Sequence, residues 1–395
     1  MSPPRIAILG AGPIGLEAAL AARARGLDVR VYESASTVGG NVARWGHVRT
    51  FTPWSMNVSP RMRAALRDAV PDGAELPTGT QLVRELLEPV AALPALAGRV
   101  RTGVRVRAVA REGLLKHEAI GAPLRASRRF RILLQDVASG VESMAHADVV
   151  IDATGTYGQA NRLGDGGIDA VGEQALTRRI TRHLPDLAAT PHEWAGRTIL
   201  LTGAGHSAQT SASALADFAR HASGTRVEWA IRSPEPTFGA VAGDPLAERA
   251  ALNASARELA GGASDAVRAH TGVVTEALRD ADGRIAVTLR NGGPRELVVD
   301  HILALNGGHP DASIYRQLQV QECYATLGPI RLAAVLLGES GGDCLTASSA
   351  SADTLVTPEP GFFILGAKSY GRSSQFLLRV GWQQVDDVFG TLIPG

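Results

Sequence analysis

The sequence has few cysteines, almost no net charge and no long apolar run, and each shortage excludes a class of protein. Its two cysteines, Cys323 and Cys344, exclude a disulfide scaffold and favour a reducing compartment. Forty Lys and Arg balance 39 Asp and Glu, a formal net charge of +1, so we expect neither nucleic acid nor an anionic membrane as partner. No apolar stretch reaches the roughly twenty residues of a membrane span.

The chain also lacks several signatures of chemistry. It shows no metal-ligand spacing, no Ser-His-Asp signature and no basic tract, and its ten His are scattered, so we predict no metal site. The N-terminus enters an apolar run almost at once, which leaves no room for a signal peptide, and we expect a cytoplasmic protein. A length of 395 residues predicts two domains.

What the sequence does contain is a glycine motif between two apolar runs at its start. Ile6–Leu9 leads into the residues 10–15, GAGPIG, and a stretch rich in Ala and Leu follows. A second apolar run, Val29–Tyr32, ends on Glu33. The order strand, glycine turn, helix, strand and acid is the βαβ fingerprint of dinucleotide binding. The alternative is a glycine turn in some other kind of sheet.

Each position of this motif has a physical task. Gly10 allows a tight turn, Gly12 lets a pyrophosphate approach the backbone, and Gly15 lets the helix pack closely on the sheet. The free N–H groups at the start of the helix attract phosphates. Glu33, about twenty residues further on, is placed to accept hydrogen bonds from a ribose diol.

A second fingerprint follows in the middle of the chain. Thr198–Leu201 is a predicted strand, residues 203–208 read GAGHSA, and residues 209–221 are a predicted helix. The next predicted strand, Val227–Ile231, ends on Arg232 instead of an acid. An arginine here suits the 2′-phosphate of NADPH; the alternative is a solvated arginine at a strand end.

Each fingerprint is followed by a β-rich region and then by an apolar strand that runs into a polar turn. Two βαβ copies imply two cofactors, or one cofactor and one cosubstrate. The predicted strands are Val104–Val109, Phe130–Leu134, Val149–Ile151, Val273–Ala277, Ile285–Leu289, Leu297–Val299 and Ile302–Leu305.

The remaining segments give weaker signals. Residues 51–57 are aromatic and polar without a period, which predicts a loop. Residues 80–93 have helical spacing, with Thr78 or Thr80 as a cap. At the C-terminus we predict a buried strand over residues 361–366, then a helix over residues 373–392 capped by Ser373 or Ser374.

These motifs together resemble the two-dinucleotide-binding-domain flavoproteins, the superfamily of thioredoxin reductases and flavin-containing monooxygenases. The stretches FTPWSMNVSP, GAGHSA and GAKSYGRSSQFLL also resemble a poorly characterised bacterial branch of FAD-dependent oxidoreductases. The resemblance implies an α/β fold with two Rossmann-like dinucleotide-binding domains, the second inserted in the first, each with a β-meander. The FAD-binding domain is then expected over residues 1–160 and 301–395, and the NAD(P)H-binding domain over 161–300.

The resemblance further implies that the first fingerprint holds FAD and the second holds NADPH, with the start of the final helix facing the flavin pyrimidine ring. The predicted cofactor-binding residues are Gly10, Gly12, Pro13, Ile14, Gly15, Glu33, Gly40, Asn41, Trp45, Ala153, Thr154, Gly155, Gly203, Gly205, His206, Ser207, Arg232, Gly366, Lys368 and Phe376. His206 lies inside a glycine turn, where a structural role is favoured over a catalytic one.

The chain departs from its relatives in three places. Many relatives carry an Asp after the strand-end glycine that bonds the FAD ribitol, whereas Ala367 and Lys368 follow Gly366 here. The CxxC dithiol of thioredoxin reductases is absent, and so is the FxGxxxH signature of the monooxygenases. The last two absences leave the reaction of the reduced flavin open.

Three functions therefore stand as hypotheses. The leading one is a monooxygenase that oxygenates a small molecule through a flavin hydroperoxide, with oxygen as cosubstrate and Asn57 as a catalytic polar group near the reactive face. The second is a reductase of a small disulfide, quinone or inorganic acceptor; Cys344 is its candidate thiol, although a lone cysteine is more often a small buried hydrophobe. The third is a non-enzymatic redox sensor. A homodimer is also compatible with the sequence.

Overall fold

The computed structural model describes residues 3–338 and 351–392, which form two compact units. Of these residues, unit 1 combines 3–159 with 309–338 and 351–392, and unit 2 is the continuous segment 160–308. The predicted fold class is confirmed, because each unit contains a parallel sheet and an antiparallel three-stranded meander. The chain returns from unit 2 to unit 1 at residue 309, whereas the sequence predicted this return at residue 301. The difference arises because the strand His301–Ala304 pairs with Thr198–Thr202 inside unit 2.

The parallel sheet of unit 1 is built around the strand Arg5–Leu9. This strand, Val149–Asp152 and Phe362–Ile364 are mostly buried apolar residues, as expected of parallel strands covered on both faces. The strand order across this sheet is Phe362–Ile364, Val149–Asp152, Arg5–Leu9, Asp28–Tyr32, Val100–Arg101. The meander of the same unit consists of Val104–Arg111, Phe130–Asp136 and Glu142–Ala147.

Two long helices cover the sheet of unit 1 on the side of the first glycine turn. The helix Pro13–Ala24 has Pro at its first position, where the missing N–H costs nothing, and it packs against the C-terminal helix Leu378–Leu392. This C-terminal helix begins five residues later than predicted, so neither Ser373 nor Ser374 caps it. A hydrogen bond from the Arg372 N–H to the Thr326 carbonyl, next to a left-handed Gly371 (φ 64°), holds the preceding segment out of the helix.

The other helices of unit 1 are short. Thr78 caps one of them, as predicted, through a capping box with Gln81. The predicted loop over residues 51–57 contains a single helical turn. The bounds of the shorter helices, including 3₁₀ and π turns, are Gly40–Ala43, Trp54–Asn57, Pro60–Leu66, Arg67–Ala69, Gly79–Gln81, Leu82–Leu87, Glu88–Ala92, Pro123–Ser127, Ala312–Tyr315, Ile330–Gly338, Ala352–Leu355 and Ala367–Tyr370.

Unit 2 repeats the arrangement around the strand Thr198–Thr202. Its sheet has the order Val267–Thr271, Arg226–Ile231, Thr198–Thr202, His301–Ala304, Ile180–Thr181. Its meander consists of Val274–Ala281, Arg284–Asn291 and Gly293–Val299. The remaining bounds within unit 2 are Asp165–Gly167, Thr177–Arg179, Pro191–Trp194, His206–Ala219 and Ala247–Ala260. Two short strands, Gln159–Ala160 and Gly308–His309, lie where the chain passes from one unit to the other.

The helix Ala247–Ala260 has no counterpart among the sequence predictions. Its face toward the protein carries Arg249, Asn253, Ala256 and Leu259, so polar residues occupy positions where a periodic pattern needs apolar ones. Within the described residues, no helix of either unit is long and apolar enough to cross a membrane.

Candidate functional site

The first glycine turn, residues 10–15, closes on itself so tightly that side chains are excluded at two positions. Gly10 has φ 93°, and a Cβ there would lie 2.8 Å from the Ala153 carbonyl oxygen. A Cβ at Gly15 would lie 1.9 Å from the carbonyl oxygen of Gly10. At Gly12, by contrast, a Cβ would meet no atom within 4 Å. Gly12 therefore faces open space, as a residue that must admit a pyrophosphate does.

The start of the helix behind this turn is left open for a ligand. Gly12 is the N-cap and offers no side chain to the first N–H groups, which makes the helix start an anion-binding position. Ile14 points the other way and packs on two glycines: Cβ atoms at Gly366 and Gly381 would lie 3.1 Å and 2.4 Å from its side chain. Pro13 and Ile14 thus shape the turn, and its backbone faces the open side.

Glu33 is held beside the turn by backbone hydrogen bonds. Its buried carboxylate accepts from the Ala11 N–H at 2.8 Å and from the Ala35 N–H at 2.9 Å. A carboxylate has about four lone-pair positions, so acceptor capacity remains for ribose hydroxyls. Gly40 lies close by, and a Cβ there would lie 2.2 Å from the Ala35 Cβ and 3.5 Å from Glu33 Oε1. Only a glycine lets the helix that begins at residue 40 approach this carboxylate.

The turn after the strand Val149–Asp152 forms another wall of the same site. Ala153 contacts Gly10 as described, and Gly155 is left-handed with φ 71°. Asn41 Nδ2 lies 3.5 Å from the Thr154 carbonyl oxygen. The Trp45 ring packs against Gly79, where a Cβ would lie 2.7 Å from the ring. Trp45 therefore packs behind the residues that face the open side of the site. These predicted residues are brought together at the carboxyl edge of the sheet, where ligands of such folds bind.

Lys368 has a different environment from the one predicted for it. Its side chain is fully buried, and its Nζ donates to Asp152 Oδ2, Thr154 Oγ1 and the Asp311 carbonyl oxygen at 2.6, 3.0 and 2.9 Å. An ammonium has three donors, so all of them are used within the protein. Asp152 was missed by the sequence predictions, although an acid at the last position of a buried strand is a signal for the carboxyl edge.

A cavity of about 320 Å³ lies between the loop of residues 51–57 and the start of the C-terminal helix. Side chains from residues 52–57 and 376–382 line it, with Phe376 and Trp382 as its aromatic walls. Gly381 lies between the cavity and the first glycine turn. A Cβ at Gly381 would lie 2.4 Å from Ile14 of the turn and 2.9 Å from Phe376 of the cavity wall. Its size falls at the lower end of the range of ligand pockets, and it lies at the start of the C-terminal helix, where the flavin ring was expected.

Asn57 lines this cavity, but its side-chain amide forms hydrogen bonds within its own loop. Its Nδ2 donates to the carbonyl oxygens of Thr52 and Pro53 at 2.8 and 2.9 Å, and its Oδ1 accepts from Thr52 Oγ1 at 3.1 Å. Both N–H donors are therefore occupied. The structure gives Asn57 the task of holding the loop that borders the cavity, and a catalytic role for it stays a prediction.

The second glycine turn, residues 203–208, has the geometry of the first. Gly203 has φ 109°, and a Cβ there would lie 2.4 Å from the Leu305 carbonyl oxygen. Gly205 is the N-cap of the helix His206–Ala219 and, like Gly12, has no atom within 4 Å of its Cβ position. Two residues that sequence reasoning missed anchor this turn, because Trp229 Nε1 donates to the Gly203 carbonyl oxygen and Gln209 Nε2 to that of Ala204.

The polar residues around the second turn differ in exposure. Ser207 and Arg232 are exposed, and within the described residues the Arg232 guanidinium has no recorded hydrogen bond or ion pair. His206 is half-buried, and burial together with the neighbouring Arg249 holds the pKa of this imidazole below its usual 6.5. The exposed Arg232 guanidinium is therefore open to contact with an anionic ligand.

The cysteines offer no dithiol in the part of the chain that the structure describes. Cys323 is buried. Cys344, the candidate thiol of the reductase hypothesis, lies outside the described residues.

Comparison with known proteins agrees with this geometry. Residues 5–160 match the model of the FAD dependent oxidoreductase family, which supports FAD as cofactor and an oxidoreductase activity. A comparison with curated proteins finds no match.

Solved structures resemble the whole chain at low sequence identity. A bacillithiol disulfide reductase from Bacillus cereus aligns with a TM-score of 0.72 and 18% identity over 99% of both chains. The cadaverine monooxygenase from Erwinia amylovora aligns with a TM-score of 0.67 and 13% identity over 100% of this chain and 95% of that one. A flavin-containing monooxygenase from Stenotrophomonas maltophilia aligns with a TM-score of 0.59 and 18% identity over 100% of both. The chain therefore has the fold of the two-dinucleotide-binding-domain flavoproteins.

Proposed function

We propose that this chain is an FAD-dependent oxidoreductase that is reduced by NADPH and acts as a monooxygenase on a small molecule. The observation that carries the proposal is that the two glycine turns share one backbone geometry, while the strands that follow their helices end on residues of opposite charge. Glu33 follows the strand of the first turn and Arg232 the strand of the second. A carboxylate suits the ribose hydroxyls of FAD, and a guanidinium suits the 2′-phosphate of NADPH.

The residues of unit 1 provide groups that suit each part of FAD. Gly12 and the open helix start would receive the pyrophosphate, and Glu33 would receive the adenosine ribose. The cavity bordered by Phe376 and Trp382 has room for the ring end of the cofactor. When bound, FAD would supply the redox chemistry, with hydride from NADPH as the source of electrons. The residues of unit 1 would orient the cofactor, and the apolar walls of the cavity would shield its ring end from water.

In unit 2, the predicted task of the protein is to hold NADPH by its phosphates. The N–H groups behind Gly205 would bind the pyrophosphate, with Ser207 exposed beside them. Arg232 would pair with the 2′-phosphate, a charge-assisted contact that is often bidentate. These residues set the cofactor preference and do not enter the chemical step.

The absence of a CxxC motif and the composition of the cavity support the monooxygenase reading. The sequence has two cysteines separated by twenty residues. It therefore lacks the closely spaced cysteine pair that would relay electrons from the flavin to a disulfide. The walls of the cavity include Met56, Phe376, Leu377 and Trp382, which would shield the reacting end of the flavin from water, as a monooxygenase requires.

The test is turnover with NADPH and isotopically labelled dioxygen in the presence of small amines such as cadaverine, the substrate class named for one structural relative. A monooxygenase places the label in the organic product and consumes NADPH and oxygen together. NADPH-dependent reduction of a small disulfide, with no label in the product, would favour the reductase alternative. An FAD-loaded protein that turns over with neither acceptor would point to a sensor.

A further inference from the structure

A buried ion pair between Lys368 and Asp152 lies at the carboxyl edge of the parallel sheet of unit 1. Both side chains have 0% exposure. Removing two charges from water is unfavourable, and an apolar pair of similar volume often stabilises a fold equally well. A buried ion pair is therefore weak evidence for a stability role, and its geometry must show what it holds in place.

Each of the two charged groups has further partners, and most of them lie in one turn. Asp152 Oδ1 accepts from the Thr154 N–H at 3.1 Å and from Thr154 Oγ1 at 2.7 Å, while Oδ2 accepts from Lys368. Lys368 also donates to Thr154 Oγ1 and to the Asp311 carbonyl oxygen. The network thus ties the turn at Thr154 to two other segments of unit 1, those carrying Lys368 and Asp311.

The Thr154 turn, which this network holds, packs directly against the first glycine turn. A Cβ at Gly10 would lie 2.8 Å from the Ala153 carbonyl oxygen and 3.2 Å from the Thr154 Cα. The Thr154 carbonyl oxygen faces Asn41 on the other side. A shift of the Thr154 turn would therefore reach the residues around Gly10 and Asn41.

We propose that Lys368 and Asp152 are positioning residues for FAD, which hold the Thr154 turn against the first glycine turn. The inference rests on the proposed FAD site of unit 1. Neither charged group is required to touch the cofactor, because both side chains are fully buried and all three donors of Lys368 are used inside the protein. Their contribution to binding is the placement of the Thr154 turn.

Two double variants separate positioning from simple stability. Lys368→Met with Asp152→Asn removes both charges but keeps an acceptor oxygen for Thr154. Lys368→Met with Asp152→Val removes the charges and the acceptor, and a β-branched residue suits the strand. The apo proteins are unfolded with urea to measure stability, and FAD affinity is measured by quenching of flavin fluorescence.

We expect the Asn double variant, which lacks the Lys368 ties but keeps an acceptor for Thr154, to bind FAD about threefold more weakly than wild type, and the Val double variant to bind on the order of tenfold more weakly. The visible spectrum of the bound flavin should shift in both variants, and more in the Val variant. If both variants bind FAD with wild-type affinity and spectrum, the network is only structural and the proposal is overturned. If both variants lose affinity in proportion to their loss of stability, the proposal is likewise overturned.

Glu359→Gln is the matched control, because it disturbs another fully buried ion-pair cluster of unit 1. Glu359 pairs with Arg111 and Arg125 and precedes the strand Phe362–Ile364, whereas Lys368 follows it. We expect lower stability with unchanged FAD affinity; an equal loss of affinity would mean that binding follows stability, against the proposal. A wild-type protein that binds no FAD would instead refute the proposed function, and this inference with it.

Discussion

The two glycine turns have the same backbone and different surroundings. In both, the first glycine is left-handed and abuts the carbonyl oxygen that follows the neighbouring parallel strand, and the second glycine faces open space. The first turn is anchored by a carboxylate, since Glu33 accepts from the Ala11 N–H. The second turn is anchored by donors, since Trp229 and Gln209 bond its carbonyl oxygens. In the proposed function, the shared backbone would receive the phosphates, and the flanking side chains would decide which dinucleotide fits.

The parallel sheets around the two turns have the same arrangement of strands, although one strand comes from a different place in the chain order of each unit. The strand at one edge of the unit 1 sheet, Phe362–Ile364, comes from the C-terminal segment, whereas the corresponding strand of unit 2, Ile180–Thr181, precedes its glycine turn. Both strands nevertheless pair in parallel with the strand next to the central one. The packing of the sheet therefore determines the neighbourhood of each turn more strongly than the order of the segments does.

The largest expected effect comes from adding a methyl group at the third position of the first turn. Gly15→Ala would place a Cβ 1.9 Å from the Gly10 carbonyl oxygen, and we expect a loss of about 3 kcal/mol in the free energy of unfolding together with the loss of FAD. Urea unfolding of the apo protein measures it. The matched change in the second turn is Ala208→Gly, which should cost only about 1 kcal/mol. Equal effects would show that the two turns are not packed differently.

Side chains at the open positions should separate the two cofactors. Gly12→Val and Gly205→Val each fill space that no protein atom occupies, so the apo proteins should keep nearly wild-type stability. We expect Gly12→Val to abolish FAD binding, and Gly205→Val to keep FAD but lose reduction by NADPH. Cofactor content after purification and anaerobic reduction measure the two outcomes. A Gly205→Val protein that lacks FAD would contradict the assignment of the turns.

The charge at the end of the second strand should determine the preference for NADPH. Arg232→Ala removes an exposed guanidinium, and losing a phosphate contact of this kind costs about 1.5–3 kcal/mol, roughly ten- to a hundred-fold in affinity. Affinity for NADH should change little. Titration of the FAD-loaded protein with both nucleotides measures the split. An equal loss with both would make Arg232 a structural residue.

The smallest effect concerns pH and the second turn. Burial and Arg249 lower the pKa of His206, so the unfolded chain takes up this proton at a higher pH than the folded chain does. Stability should therefore fall as pH falls through about 6.5, and His206→Gln should lack this part of the pH dependence. Unfolding free energies between about pH 7 and pH 5.5 measure it. Parallel curves for variant and wild type would show that His206 does not contribute.

Local patterns predicted the fold and both glycine turns because short apolar runs, glycines and strand-end charges are readable without tertiary contacts. The start of the C-terminal helix could not be predicted, because a tertiary hydrogen bond from Arg372 to Thr326 keeps the preceding residues out of it. The helix Ala247–Ala260 buries polar side chains and so lacks a clear period. The Lys368–Asp152 pair joins residues 216 positions apart, and no local signal connects them.

The measurement that tests the account most directly is the binding of NADP⁺, which cannot reduce flavin, to the FAD-loaded protein. Calorimetric titration should show one NADP⁺ site per chain on the FAD-loaded protein, and that site should persist in the Gly12→Val protein that holds no FAD. It should disappear in the Gly205→Val protein that still holds FAD. Competition between NADP⁺ and FAD for one site, or loss of NADP⁺ binding in the Gly12→Val protein, would contradict the assignment of one dinucleotide to each turn.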